Sequence, residues 1–189
     1  MLFRPVMNRF SALLFVAIIF RPALAQLPGD LKRRFDEAER RIVRLQPTAF
    51  PELPGNIVRE LQRRGCTVPQ TAYSKKAHNV IKGEFDKAGQ TDWAVLCSVK
   101  GVSTILVFWN GSEKNPAAVA RMEDRNFLQS INTNDPGFSR GIRPVGNDFI
   151  MGHYNAYGGP KPPPIDHHGI DDAFIEKASV VWYFFGGKC

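Results

Sequence analysis

Hydrophobic positions in this chain follow two rhythms, and the changeover falls near residue 65. Between Asp30 and Leu45, the residues Leu31, Phe35, Ala38, Ile42 and Leu45 recur at steps of three and four. That is the period of a helix with one apolar stripe. Asp30 suits the N-cap and Pro47 the stop. A shorter helix is predicted from Pro54 to Arg64, with Ile57, Val58 and Leu61 on its buried side and Gly65 as a left-handed C-terminal turn. Phe50-Pro51-Glu52-Leu53-Pro54 reads as a stiff connector between the two.

From Cys66 onward the pattern becomes short apolar runs broken by Gly, Asn, Asp and Pro. Val80-Ile81, Trp93–Ser98, Thr104–Trp109, Asp148–Met151 and Ala178–Phe185 are predicted strands. Val99-Lys100-Gly101-Val102 reads as the turn of a hairpin. Ala117–Ile131 fits a short helix or a strand with a loop. Asn132–Gly146 reads as loop around Asn134-Asp135-Pro136-Gly137, and Tyr154–Pro164 as a breaker-rich surface loop. The expected fold is α+β: a helical N-terminal segment (26–65) packed on a predominantly antiparallel sheet or sandwich (66–189). Trp93, Val95, Leu106, Phe108, Val181 and Phe184 are its expected core.

One stretch carries candidate chemistry. Gly83-Glu84-Phe85-Asp86-Lys87-Ala88-Gly89-Gln90-Thr91-Asp92 sets acidic residues ahead of a glycine bend, an aspartate and the apolar run Trp93–Leu96. A hard cation needs several converging oxygens. Glu84, Asp86 and Asp92 offer carboxylates, and Gln90 offers its side-chain carbonyl. The layout resembles FG-GAP/VCBS-type repeats of secreted β-propeller proteins, over about a dozen residues. The resemblance implies propeller-like hairpins and Ca²⁺ ligands at Glu84, Asp86 and Asp92. It departs at Ala88, where the family has a further carboxylate. An echo, Asp166-His167-His168-Gly169-Ile170-Asp171-Asp172, places Asp166 on Asp86, His168 on Ala88 and Asp172 on Asp92. The mature chain is too short for a complete propeller of four-stranded blades. More widely, the run from Arg64 to Cys97 is similar to exported bacterial proteins, which implies secretion and no particular activity.

The first 25 residues read as an export leader. Arg4 and Arg9 precede the apolar run Ala12–Phe20, and Ala23-Leu24-Ala25 offers a cleavage site before Gln26. The run is about half the length needed to span a bilayer, and no other segment of the sequence qualifies, so no membrane span is expected after cleavage. Loss of Arg4, Arg9 and Arg21 lowers the formal charge from +7 to +4. The basic residues before position 65 are interleaved with acids rather than aromatics, which argues against nucleic acid. An oxidising compartment favours disulfides, and Cys66–Cys97 is the expected pair, leaving Cys189. The Phe185–Cys189 ending, directly after an apolar strand, reads as a truncation or frameshift.

Catalytic signatures are weak. No Gly-x-Ser-x-Gly elbow or phosphate-binding glycine loop occurs. His167 and His168 beside Asp166, Asp171 and Asp172 form the densest titratable group, and Asp166, His167, His168 and Asp172 are the site of an alternative reading as a metal-assisted envelope hydrolase. Tyr154 and Tyr157 are candidate contacts of a binding loop. The favoured reading is an exported, non-enzymatic domain that binds a protein or carbohydrate ligand. A further alternative is an inhibitor or accessory subunit of another exported protein.

Overall fold

The unbroken apolar run after Asp92 becomes a strand buried on both faces, and the rest of the molecule is arranged around it. The computed structural model describes residues 29–132 and 135–186. The expected leader (1–25), Asn134 and Cys189 lie outside the described residues. Strands β3 (Val80–Gly83), β4 (Asp92–Val99), β5 (Val102–Phe108) and β6 (Ala117–Glu123) form an antiparallel meander in that order. Side chains alternate across a strand, so Trp93, Val95 and Cys97 face one way while Ala94 and Leu96 face the other.

Helix α2 (Gly55–Arg63) covers the first face with Ile57 and Leu61, which are fully buried against Val95 and Phe108. The Cys66–Cys97 disulfide ties the end of α2 to β4, its Cα atoms 5.3 Å apart. Two-residue strands β1 (Arg44–Leu45) and β2 (Val68–Pro69) pair beside it. The second face packs on helix α1 (Gly29–Arg40), on the hairpin of β7 (Leu128–Asn132) and β8 (Asp135–Phe138), and on a three-stranded sheet. That sheet has the order β11-β10-β9, from β9 (Arg140–Val145), β10 (Gly169–Phe174) and β11 (Ala178–Trp182), all antiparallel. Helix α3 (Asn147–Tyr157) lies on its outer side, where Ile150 packs with Val145, Ile165 and Val181. The fold is therefore α+β with antiparallel sheets, and no described helix is long and apolar enough to cross a membrane.

Four expectations need correction. The first helix ends at Arg40 rather than Leu45, because the chain extends there to pair β1 with β2 and to give the Val43 carbonyl to the Gln70 N–H. Asp148–Met151 is the first part of α3, not a strand. The helix continues to Tyr157, so Tyr154 and Tyr157 occupy its last turn rather than a loop, and Gly158 (φ +74°) ends it. Asn132–Gly146 is mostly strand, in β8 and β9. The ambiguous Ala117–Ile131 resolves into β6, a 3₁₀ turn and most of β7. Of the expected core, Trp93, Val95, Leu106 and Phe108 are buried, while Val181 and Phe184 are half-buried.

Candidate ligand-binding groove

The acidic turn proves to be a device for closing the chain. Asp92 is fully buried and its carboxylate accepts four N–H bonds: from Phe85 (2.7 Å) and Asp86 (3.0 Å) on Oδ2, and from Asn110 (2.7 Å) and the Gln90 side chain (2.8 Å) on Oδ1. Phe85 folds back over Gly83, where a Cβ would fall 2.6 Å from its ring, and plugs the core. Gln90 turns its amide N–H, not its carbonyl, toward Asp92 and Asp86. A carboxylate has about four lone-pair sites, and those of Asp92 are engaged by N–H donors. A hard cation does not fit this arrangement. Among the described residues, no three His, Cys, Asp or Glu side chains gather as a metal site.

The echo does not repeat this geometry. Gly89 has φ +79°, whereas Gly169 already lies in β10, paired with Val145. The two segments instead touch: the Glu84 N–H donates to His168 Nδ1 (3.1 Å), and the His168 N–H to the Glu84 carbonyl (2.8 Å). Asp166 is exposed and His167 is turned to its own chain, with Nδ1 near the His168 carbonyl. Asp172 points into the interior, where Arg140 grips it with two 2.8 Å bonds. The four residues of the hydrolase reading therefore do not share a cleft.

Arg140 is itself fully buried and spans the two sheets. It also donates to Ser103 Oγ on β5 and to the Ala120 carbonyl on β6, where a bulge gives Ala120 φ +55°. Its guanidinium lies 4.5 Å from the Phe127 ring centroid. Asn79 performs a matching task, donating to the Pro69 and Arg140 carbonyls and accepting from the Ile142 N–H.

Because neighbours on a strand face opposite ways, Asp171 points outward where Asp172 points inward. It is 3% exposed, and its Oδ2 accepts from Arg143 Nε at 2.8 Å. Its Oδ1 is buried without a partner, a condition that costs about 1–3 kcal/mol in a folded protein. Asp171 lines a groove of about 480 Å³ between the 71–79 segment and the outer face of β9 and β10. Gly141 and Ala173 stand opposite each other across the strand pair, and Ile175 lies over Gly141, where a Cβ would fall 3.3 Å from its Cδ1. Tyr73 and Glu176 line it too, joined by a 2.8 Å bond, with Gln129 donating to the same phenol oxygen at 3.1 Å. The Glu176 carboxylate, accepting that hydrogen bond, raises the Tyr73 pKa above its ordinary 10.0. Arg143 is held beneath by a cation–π contact with Phe149, 4.5 Å to the centroid.

His78 also borders the groove, but both ring nitrogens are engaged. Nε2 accepts from the Thr71 N–H, and Nδ1 faces the Lys76 carbonyl at 2.9 Å, which assigns the proton to Nδ1. A second cleft, about 510 Å³ beside the disulfide, carries Arg64, Lys100 and Arg121, yet Arg64 already pairs with Glu60 at 2.7 Å. Tyr157, 79% exposed, lies tilted against His153 with centroids 4.8 Å apart, and Tyr154 is half-buried; neither lines the groove.

Comparison with protein-family models, curated proteins and solved structures gives no match. The resemblance to FG-GAP/VCBS-type repeats thus rests on the dozen residues of the Asp92 turn. Sequence reasoning counted Asp171 only as a member of the acidic and histidine cluster, and passed over Arg143 and Tyr73. One signal was available: two adjacent acids inside an apolar strand must face opposite sides, so one of them enters the interior and the other needs a separate explanation.

Proposed function

We propose that this chain is an exported, non-enzymatic binding domain whose ligand sits in the Asp171 groove. The leader-like N-terminus and the Cys66–Cys97 pair support export, since disulfides persist in oxidising compartments. The β3–β6 meander supports a blade-like reading of the β portion, four antiparallel strands of which the Asp92 turn joins the first two. Binding rather than catalysis is favoured by what the histidines do. Both ring nitrogens of His78, and one ring nitrogen each of His153, His167 and His168, are engaged with main-chain groups, as suits structural residues more than general bases.

The observation that carries the proposal is the groove itself, about 480 Å³, with the Arg143 side chain 59% exposed in its wall and the Tyr73 hydroxyl fixed beside it. A natural ligand with acceptor oxygens would take hydrogen bonds from the guanidinium N–H groups of Arg143 that Asp171 does not use. Thermal-shift measurements with small-molecule and polysaccharide fractions of bacterial envelopes test it. At least one fraction should raise the melting temperature of the wild type and leave Ala173→Leu, whose floor is filled, unmoved. Equal shifts in both proteins, or none in either, would remove the groove from consideration.

A further inference from the structure

We infer that His78 makes one wall of the groove acid-sensitive: a proton on its imidazole releases the 71–78 loop and weakens binding there; this rests on the binding reading above. The ring is a strut across that loop. Its Nε2 accepts the Thr71 N–H, and its Nδ1 faces the Lys76 carbonyl at 2.9 Å. Only the neutral ring with its hydrogen on Nδ1 makes both bonds. The main chain of His78 is held separately. The buried Gln70 side chain accepts its N–H at 2.9 Å and donates to its carbonyl at 3.0 Å.

A second proton puts an N–H on Nε2, facing the Thr71 N–H. The acceptor has then become a donor, and the bond is lost. Thr71 is buried, so its N–H lacks a partner until the loop gives way. Thr71 Oγ1 and the Ala72 N–H both donate to the Phe138 carbonyl, at 3.1 Å and 2.8 Å, which keeps that end of the loop on β8. The part set free is Tyr73–Ala77, which brings Tyr73 and Ser74 to the groove.

The charges around the ring give an imidazolium no support where it stands. On its own segment Lys75 and Lys76 are cations, and Tyr73 donates its hydroxyl to Glu176 of the β10–β11 turn. Arg143 of β9 and Asp171 of β10 are joined to each other. On the other side of the segment Arg41 pairs with Asp135. Both acids that line the groove are thus already engaged. A histidine changes charge between about pH 5 and pH 8. A proton bound by the open wall and not by the closed one favours opening as the pH falls through that interval.

Amide exchange and imidazole nitrogen shifts of the ¹⁵N-labelled full chain test the wall with no ligand present. Between about pH 7.5 and about pH 5, Nε2 should pass from bare to protonated and the Thr71 protection factor should fall about tenfold or more. The Leu96 N–H, bonded to the Asn79 carbonyl in the sheet, should keep its protection. His168 accepts the Glu84 N–H in the same way but does not line the groove, so a variant at residue 78 isolates the wall. In His78→Gln, which takes up no proton, Thr71 protection should be the same at both pH values, whatever its level. An equal acid-dependent fall in that variant, or a protonated Nε2 with Thr71 still protected, overturns the inference. The envelope fraction that stabilises the wild type most should raise its melting temperature at least about twofold less at the lower pH. An equal rise at both pH values overturns the inference and leaves the binding reading standing. No rise at either pH overturns the binding reading on which it rests, whatever the exchange shows.

Discussion

At the scale of single residues, the interior is governed by charges that have found partners. The Arg140–Asp172 pair is the deepest, with Arg140 fully buried and all three of its guanidinium nitrogens engaged. Removing one partner strands the other charge away from water. Arg140→Leu should therefore destabilise by about 3–5 kcal/mol, and Arg140→Leu with Asp172→Leu should recover much of that loss. Urea unfolding of the three variants checks both statements. Glu60 offers a pH test. Hydrogen bonds from Arg63, then Arg64, hold its carboxyl at about 2, below the ordinary 4.5. A carboxyl depressed in the folded state contributes stability above its unfolded pKa and loses it as pH falls toward the folded one. Glu60→Gln should flatten the acid limb of the stability curve between about pH 4.5 and pH 2, as read by denaturant midpoints across that range.

At the scale of elements, the local signals were legible where one segment alone decides the outcome. The β4–β5 hairpin follows from two apolar runs around Lys100-Gly101, and both turn residues adopt left-handed backbone, with φ +51° and +78°. Lysine is a poor residue for that conformation. Lys100→Asn, favoured in such turns, should raise stability by roughly 0.5–1 kcal/mol in thermal or denaturant melts. The Asp92 turn was read correctly as a bend leading into a strand. Its role was not, because the Asn110 donor lies 18 residues away and no local pattern announces it. Since four N–H donors already engage the Asp92 carboxylate, millimolar calcium should leave the melting temperature unchanged. Asp92→Asn should lower stability by about 2–4 kcal/mol, because its new N–H₂ group faces backbone donors.

Elements that depend on distant partners were harder to see. Strand β9 contains Gly141, Pro144 and two arginines, and reads as loop until Asp171 and Asp172 are placed beside it. Helix α3 buries only Ile150 fully, so Asp148–Met151 fits alternation as well as a helical turn. The breakers that mark its end begin only at Gly158.

At the scale of the whole molecule, the disulfide and the groove stand at opposite ends of legibility. Cys66–Cys97 could be chosen from position and compartment, and it closes a separation of 31 residues. Its replacement by a Cys66→Ala, Cys97→Ala double variant should cost roughly 3–4 kcal/mol, measured by guanidinium unfolding. The groove could not be chosen, since its lining comes from the 71–79 segment, β9 and the β10–β11 hairpin, which meet only after the sheets pack. The measurement that tests the account most directly is a map of amide chemical shifts in the ¹⁵N-labelled chain on addition of the envelope fraction that raises its melting temperature most. The account predicts shifts centred on Gly141, Arg143, Asp171 and Ala173, lost in Ala173→Leu. Shifts centred on the Asp92 turn or on the cleft beside the disulfide, with Asp171 undisturbed, would contradict it.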